Sequence, residues 1–151
     1  MEIREFRQSD ISGICRLIGN ELGYDVSVSE LDFRIGQMMK EKHYHILIAE
    51  HDSRIAGFCG LQTSLAFEVP GRIMRIIALA VDAEYQRQGL GARLLREAEE
   101  YGRKNRISLI LVNSGLQRTG AHQFYEKQGF FKKGYSFCKR IMKKRCCCCG
   151  K

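Results

Sequence analysis

Ile76-Ile77-Ala78-Leu79-Ala80-Val81-Asp82-Ala83-Glu84-Tyr85-Gln86-Arg87-Gln88-Gly89-Leu90-Gly91-Ala92 is the stretch that sets the architecture of this chain. Its apolar opening reads as a strand, and its end starts an amphipathic helix. Gly89 and Gly91 let the backbone approach an anion without a Cβ in the way. A helix opening there presents unpaired N–H groups at the positive end of its dipole, which favours a bound phosphate. Helix starts also carry glycine for steric reasons alone, so the flanking residues carry the rest of the reading.

Downstream, the spacing predicts a helix from Leu90 to Lys104, with Leu90, Leu94, Leu95, Ala98 and Tyr101 as its inner stripe. Arg93–Glu97, Arg96–Glu100 and Glu99–Arg103 fall at i, i+4 on its wet face. Ile107 to Val112 is the next strand, so strand, helix and strand form a right-handed βαβ unit with parallel strands. A last helix, Thr119 to Gln128, stops at Gly129, and Phe130 to Met142 reads as a closing strand or hairpin.

Upstream, Arg72 to Val81 is almost continuously apolar and predicts a strand covered on both faces. A turn at Pro70-Gly71 precedes it. His45 to Glu50 and Ile55 to Gln62 read as strands joined through His51-Asp52-Ser53-Arg54. Ile3 to Arg7 alternates as an opening strand. Ser9-Asp10 offers an N-cap to a helix carrying Ile11, Ile14, Cys15, Ile18 and Leu22 on one side. Gly23 to Val26 connects it to a second helix, opened by a capping box Ser29-x-x-Asp32, with Leu31, Ile35, Met38 and Met39 inward.

At 151 residues the chain is long enough to bury a core in one domain, expected over 1–142. Apolar content of 44% and charged content of 28% are those of a globular protein. No apolar run reaches the roughly 18–20 residues of a membrane span. The N-terminal Met1-Glu2-Ile3-Arg4-Glu5 is too polar for a secretory signal, so a cytoplasmic location is expected, with no membrane partner. The net charge of +8 is local: residues 132–151 hold eight of the 25 lysines and arginines and none of the 17 acids. A nucleic-acid partner calls for a basic face on the folded body, so none is expected. An adaptor that uses the basic tail on nucleic acid or a membrane surface is the reading from another class.

Cys15, Cys59 and Cys138 lie in apolar or strand-like contexts and are expected to act as small core residues. Cys146 to Cys149 form an unbroken run in a basic tail, 143–151, whose low complexity predicts disorder. Zinc sites use spaced cysteine pairs, so no metal site is expected. Lipidation beside the basic residues is a second reading of that run.

The pattern Gln/Arg-x-x-Gly-x-Gly/Ala at 86–92, led in by Leu79-Ala80-Val81-Asp82-Ala83-Glu84-Tyr85, resembles the GNAT family of N-acetyltransferases. Ala121-His122-Gln123-Phe124-Tyr125-Glu126-Lys127-Gln128-Gly129-Phe130 is similar to that family's late helix and the turn after it. The resemblance implies an α/β (α+β) fold with a mixed, splayed central β-sheet flanked by about four helices. It implies an enzyme that passes the acetyl group of acetyl-CoA directly to a primary amine in a ternary complex. The acceptor class stays open between small amines, amino acids, aminoglycoside-like polyamines and protein amines. A homodimer is compatible with the resemblance. A second reading of the same fold is a catalytically silent acetyl-CoA-binding sensor.

The resemblance also assigns residues. N–H groups of Gln88, Gly89, Leu90, Gly91 and Ala92 would cradle the pyrophosphate, with side-chain contacts from Gln86 and Arg87. The main chain of Leu79 and Val81 would pair with the pantetheine arm as an added strand does. Tyr125 is the expected proton donor to the departing thiolate; packing against the core is its other reading. His122 is read as a hydrogen-bonding or surface residue. Arg118 stands where relatives often have asparagine, with Asn113 and Ser114-Gly115 before it, and either reaches cofactor phosphate or supports the turn. Ile77 and Ala78 stand where many relatives carry a strand acid. That leaves the general base unassigned among a bound water, Glu68 and Glu50. Glu21, Asp25, Glu30 and Asp32 are candidates for an acidic acceptor cleft.

Overall fold

The computed structural model describes residues 1–141. The expectations for Cys146 to Cys149, the basic tail and its boundary at 142/143 lie outside them. The chain divides into two compact units, Met1–Val112 and the part that starts at Asn113.

The first unit is a five-stranded mixed sheet in sequential order: β1 (Glu2–Glu5), β2 (Tyr44–His51), β3 (Arg54–Leu65), β4 (Arg72–Val81) and β5 (Ile107–Val112). All neighbours are antiparallel except β4 and β5, which run parallel because α3 (Leu90–Lys104) carries the chain back between them. The β2–β3 loop is the two residues Asp52 and Ser53, with φ of 47° and 62°. Paired positive φ values give the twist that a two-residue hairpin needs.

α1 (Ile11–Leu17) continues into a π turn, Ile18–Leu22, and α2 (Val28–Met38) follows. Ile11, Ile14, Leu17, Leu31 and Ile35 from these helices bury against Ile46, Ile48, Ile55, Phe58 and Ala80 of the sheet. On the opposite face α3 buries Leu90, Leu94, Leu95 and Ala98, while Tyr101 stacks on His45 at 4.2 Å between ring centroids. A Cβ on Gly57 would meet Leu94 at 3.3 Å, which fixes that side of β3 as the α3 face.

Several local expectations are corrected. The capping box of α2 is Ser27 with Glu30, two residues earlier than Ser29-x-x-Asp32, because Ser27 has the extended backbone of an N-cap (ψ 155°). Asp10 does not cap α1 with its side chain; the carboxylate turns back to Arg4 and to the Arg7 N–H. Met39 is exposed. β4 is not covered along its length: Ile77 is 41% exposed, and Ala78 and Leu79 are half-buried.

In the second unit α4 (Thr119–Lys127) is the one regular element among the described residues. The closing strand expected over 130–142 is absent across 130–141. A strand needs a ladder partner, and this unit supplies none among its described residues; Phe131, Tyr135 and Phe137 stay exposed. Cys138 is exposed as well, so it is not a core residue, whereas Cys59 is fully buried and Cys15 half-buried. Among the described residues no helix is long and apolar enough to cross a membrane.

Candidate functional site

β4 is paired on both sides only along its first half. Its parallel ladder with β5 runs from Arg72 opposite Ile107 to Ile76 opposite Val112 and ends there. On the other side, Leu61 pairs with Ile76 but Gly60 with Ala78, so Ile77 is an extra residue, a β-bulge. The sheet therefore opens at Ile77. Beyond it the chain direction can be read from one bond: Asp82 N donates to Ala56 O at 2.9 Å, toward β3. Backbone groups alternate sides along a strand, so Ala80 faces β3, while Leu79 and Val81 face the open edge.

At the end of β4 the chain turns on Asp82, 4% exposed. Its carboxylate accepts from Arg16 Nη1, from Arg54 Nη2 at 3.1 Å and from Glu84 N at 3.1 Å. Burial pushes this carboxyl up. The Arg16 hydrogen bond, the Glu84 N–H and the two guanidinium charges outweigh it, leaving the group below the usual carboxylate range. This corner fixes a 3-10 turn, Ala83–Tyr85, from which residues 86–89 lead into α3.

The loop is held from two sides. Glu21, on the π turn, accepts from Ala83 N at 3.1 Å and from Gln86 Nε2 at 2.7 Å. Gln86 Nε2 also donates to Val81 O at 2.9 Å, so this side chain faces the strand end and Glu21. Gln88 Nε2 donates to Glu84 O at 2.8 Å. Arg87 is exposed with φ 59°, and Gly89 has φ 81°. Gly89 is the N-cap of α3 with no side chain capping it, and no atom stands within 4 Å of where its Cβ would be. Helix geometry leaves the first N–H groups of α3, at Gly89 through Ala92, without intrahelical acceptors. The structure thus brings Leu79, Val81, Arg87, Gly89, Leu90, Gly91 and Ala92 into one continuous edge, with Gln86 and Gln88 bracing it.

In the second unit Arg118 is the N-cap of α4 and bonds through its backbone N to Gly115 O at 3.0 Å. His122 places Nε2 2.9 Å from the same carbonyl, so the ring supports the turn. Tyr125 is half-buried between Phe124 and Phe130, with ring centroids at 5.3 and 5.5 Å. Arg118 and Tyr125 are seven residues apart, on one face of the helix.

Glu50 does not fit the role of base: Arg4 holds it at 2.6 Å on the β1–β2 side of the sheet, two strands from β4. Glu68 is exposed in the β3–β4 loop. Of the acids of the expected acidic cleft, Glu21 bonds to the loop, Glu30 to Ser27 and Asp32 to Gln8. Sequence reading missed Glu21 as a brace, Asp82 as the corner and Ile77 as the bulge. Of these only Asp82 leaves a local signal, an aspartate two residues before the N–H it caps.

The chain as a whole is similar to known proteins. The model of the acetyltransferase (GNAT) family matches residues 13–130, across both units. An uncharacterized N-acetyltransferase of Bacillus subtilis is 27% identical over 125 residues, 82% of this chain and 87% of that one. The aminoalkylphosphonate N-acetyltransferase of Salmonella typhimurium is 27% identical over 130 residues, covering 85% of this chain and 80% of that protein. The crystal structure of a GNAT family acetyltransferase from Staphylococcus aureus superimposes with a TM-score of 0.78 at 25% identity, over 93% of this chain and 98% of that one. With its mixed five-stranded sheet, four α-helices and the motif at residues 86–92, the chain belongs to the acetyltransferase (GNAT) family and is an acyltransferase enzyme.

Proposed function

We propose that the protein transfers the acetyl group of acetyl-CoA to a primary amine by direct attack in a ternary complex. The observation that carries this is the continuity of the outward-facing β4 edge at Leu79 and Val81 with the uncapped start of α3. The two parts fit the two ends of the cosubstrate. An amide-bearing arm can pair with a strand edge that lacks a neighbour. A pyrophosphate suits the N–H groups of Gly89, Leu90, Gly91 and Ala92, with the Arg87 guanidinium beside them. Gln86 and Gln88 hold the loop that presents these groups, and Arg118 is a further phosphate contact. When bound, acetyl-CoA supplies an activated acyl group on sulfur.

The residues of the chain do the rest. The bulge takes Ile77 out of both strand registers, and its main-chain N–H is the donor in this reading for a thioester oxygen as charge builds on it. The N–C bond forms as the C–S bond breaks, and Tyr125 gives its hydroxyl proton to the departing sulfur. The amine passes its proton to a bound water and so to solvent. That the family match runs through both units supports one catalytic domain over 1–142. The similarity to an aminoalkylphosphonate N-acetyltransferase supports a small-molecule amine as acceptor.

Calorimetric titration of acetyl-CoA into the full chain, with Gly89→Glu as control, tests the reading. The carboxylate added at Gly89 has room and suits the helix dipole, but a φ of 81° strains any residue other than glycine, so circular dichroism first establishes that the variant is folded. It repels a pyrophosphate about 5 Å away by about 3 kcal/mol before salt screening, some 100-fold in affinity. Equal binding by both proteins, or none by folded wild type, refutes the assignment.

A further inference from the structure

Strand register sets three polar side chains in a row across one face of the sheet. Tyr44 lies opposite Gln62, and Gln62 lies opposite Arg75. Directly opposed residues in antiparallel strands project to the same side. Gln62 shares its side with Gly60 and Phe58, and Phe58 belongs to the core under α1 and α2. The row is thus on the α1–α2 face, where helix cover gives out: Tyr44, Gln62 and Arg75 are each half-buried. Gln62 Nε2 donates to Tyr44 Oη at 3.2 Å.

The same face carries the opening in the sheet. A Cβ on Gly60 would meet Ile77 Cγ1 at 3.3 Å and Ala78 Cβ at 3.8 Å, so the bulge turns Ile77 and Ala78 toward it. Ile77 is two residues beyond Arg75, about 7 Å along the strand. Arg75, Gln62 and Tyr44 therefore lie on the approach to the point where β4 and β5 part, and Glu41 and Arg72 line the cavity that Tyr44 and Gln62 share.

We propose that this row is an anion subsite for the acceptor: the amine substrate carries a carboxylate or phosphonate that Arg75 binds, with Gln62 and Tyr44 completing its hydrogen bonds. The inference rests on the acetyl-CoA reading, which puts the reacting carbonyl beside Ile77. A guanidinium has five N–H donors, so it grips an oxyanion through two of them while keeping partners within the protein. The spacing selects short acceptors, with amine and anion about 5–7 Å apart. The bonds that Glu21, Glu30 and Asp32 make within the fold argue against a polycation instead.

The test is calorimetry on the full chain saturated with CoA, titrated with β-alanine, 3-aminopropylphosphonate and β-alaninamide, in which an uncharged amide replaces the carboxylate. A charge-assisted bidentate contact predicts that the two acids bind about 10- to 100-fold more tightly than the amide. Arg75→Met abolishes that difference while CoA affinity stays the same. Arg75→Lys keeps part of it, because the charge remains and the fork is lost. Gln62→Leu, which leaves the Arg75 charge in place, weakens the acids several-fold and serves if Arg75→Met does not fold. Equal binding of acid and amide by wild type, or a preference that survives Arg75→Met, overturns the subsite and leaves the cosubstrate reading intact. A wild type that does not bind CoA at all overturns both.

Discussion

Asp82→Asn probes the corner that turns β4 into the loop leading to α3. The substitution keeps the shape and the acceptor for the Glu84 N–H, and removes the charge between Arg16 and Arg54. Breaking a fully buried ion pair costs about 3–5 kcal/mol, and an exposed pair contributes about 0.2–1 kcal/mol. Here the acid side chain is 6% exposed, but the Arg16 and Arg54 side chains are 32% and 48% exposed. The stranded cations recover part of their hydration, so the loss lies between the two limits, at about 2 kcal/mol.

The pH dependence gives the sharper reading. The Asp82 carboxyl is held below its ordinary value of 3.8 in the folded protein. The unfolded chain then binds the proton more readily, and stability falls as pH falls. The contribution of the charge is complete above 3.8 and is lost as pH drops through the depressed folded value. Urea denaturation from about pH 7 to about pH 2 should show the variant about 2 kcal/mol weaker at the top, with wild type converging on it in acid. Equal stability at neutral pH, or curves that stay parallel into acid, would refute the account of the corner.

Three further outcomes follow from single contacts. Glu21→Ala removes the acceptor of Ala83 N and Gln86 Nε2, and should weaken acetyl-CoA binding about 3- to 10-fold with under about 1 kcal/mol lost in stability; unchanged affinity would mean that the loop holds itself. Gly57→Ala sets a Cβ 2.9 Å from Ala80 O and 3.3 Å from Leu94, an overpacking of about 1–3 kcal/mol read as a lowered denaturation midpoint. Cys59 is fully buried, and burial pushes its thiol up to about 12, so iodoacetamide at mildly alkaline pH should label it only after unfolding. Labelling of Cys59 in the native protein contradicts the packing on the α3 face.

What the sequence made legible is what side-chain periodicity and turn chemistry encode. The bounds of α3, a hairpin loop within His51-Asp52-Ser53-Arg54 (narrowed by the structure to Asp52 and Ser53) and the strand–helix–strand order all follow from residues close together in the chain. The capping box slipped by two because Ser27-x-x-Glu30 and Ser29-x-x-Asp32 satisfy the same pattern, and only backbone conformation separates them. Gln86 read as a phosphate contact because its partner Glu21 is 65 residues away and leaves no local trace. The closing strand failed for a related reason: the residues at 130–141 carry no signal of whether a ladder partner is present.

The bulge and the parting of β4 from β5 belong to the same class. Ile76 and Ile77 are the same residue type, yet one is buried and paired on both sides and the other is 41% exposed and outside the ladder. Nothing in their side chains distinguishes them, because the difference lies in which backbone groups find a neighbour. An apolar half-strand with an open edge is a liability in a folded protein: its N–H and C=O groups lack a ladder, and its edge invites pairing with any extended chain. Charge or proline at the edge would blunt it, and Ile77 to Val81 contain neither. Two corner devices, the Asp82 cluster and the Glu21 brace, instead hold this edge in register with the start of α3. Rigid support on an edge that nothing in the sheet completes is what the proposed binding of acetyl-CoA requires: a ligand that pairs as a strand finds its edge already in place beside the helix start.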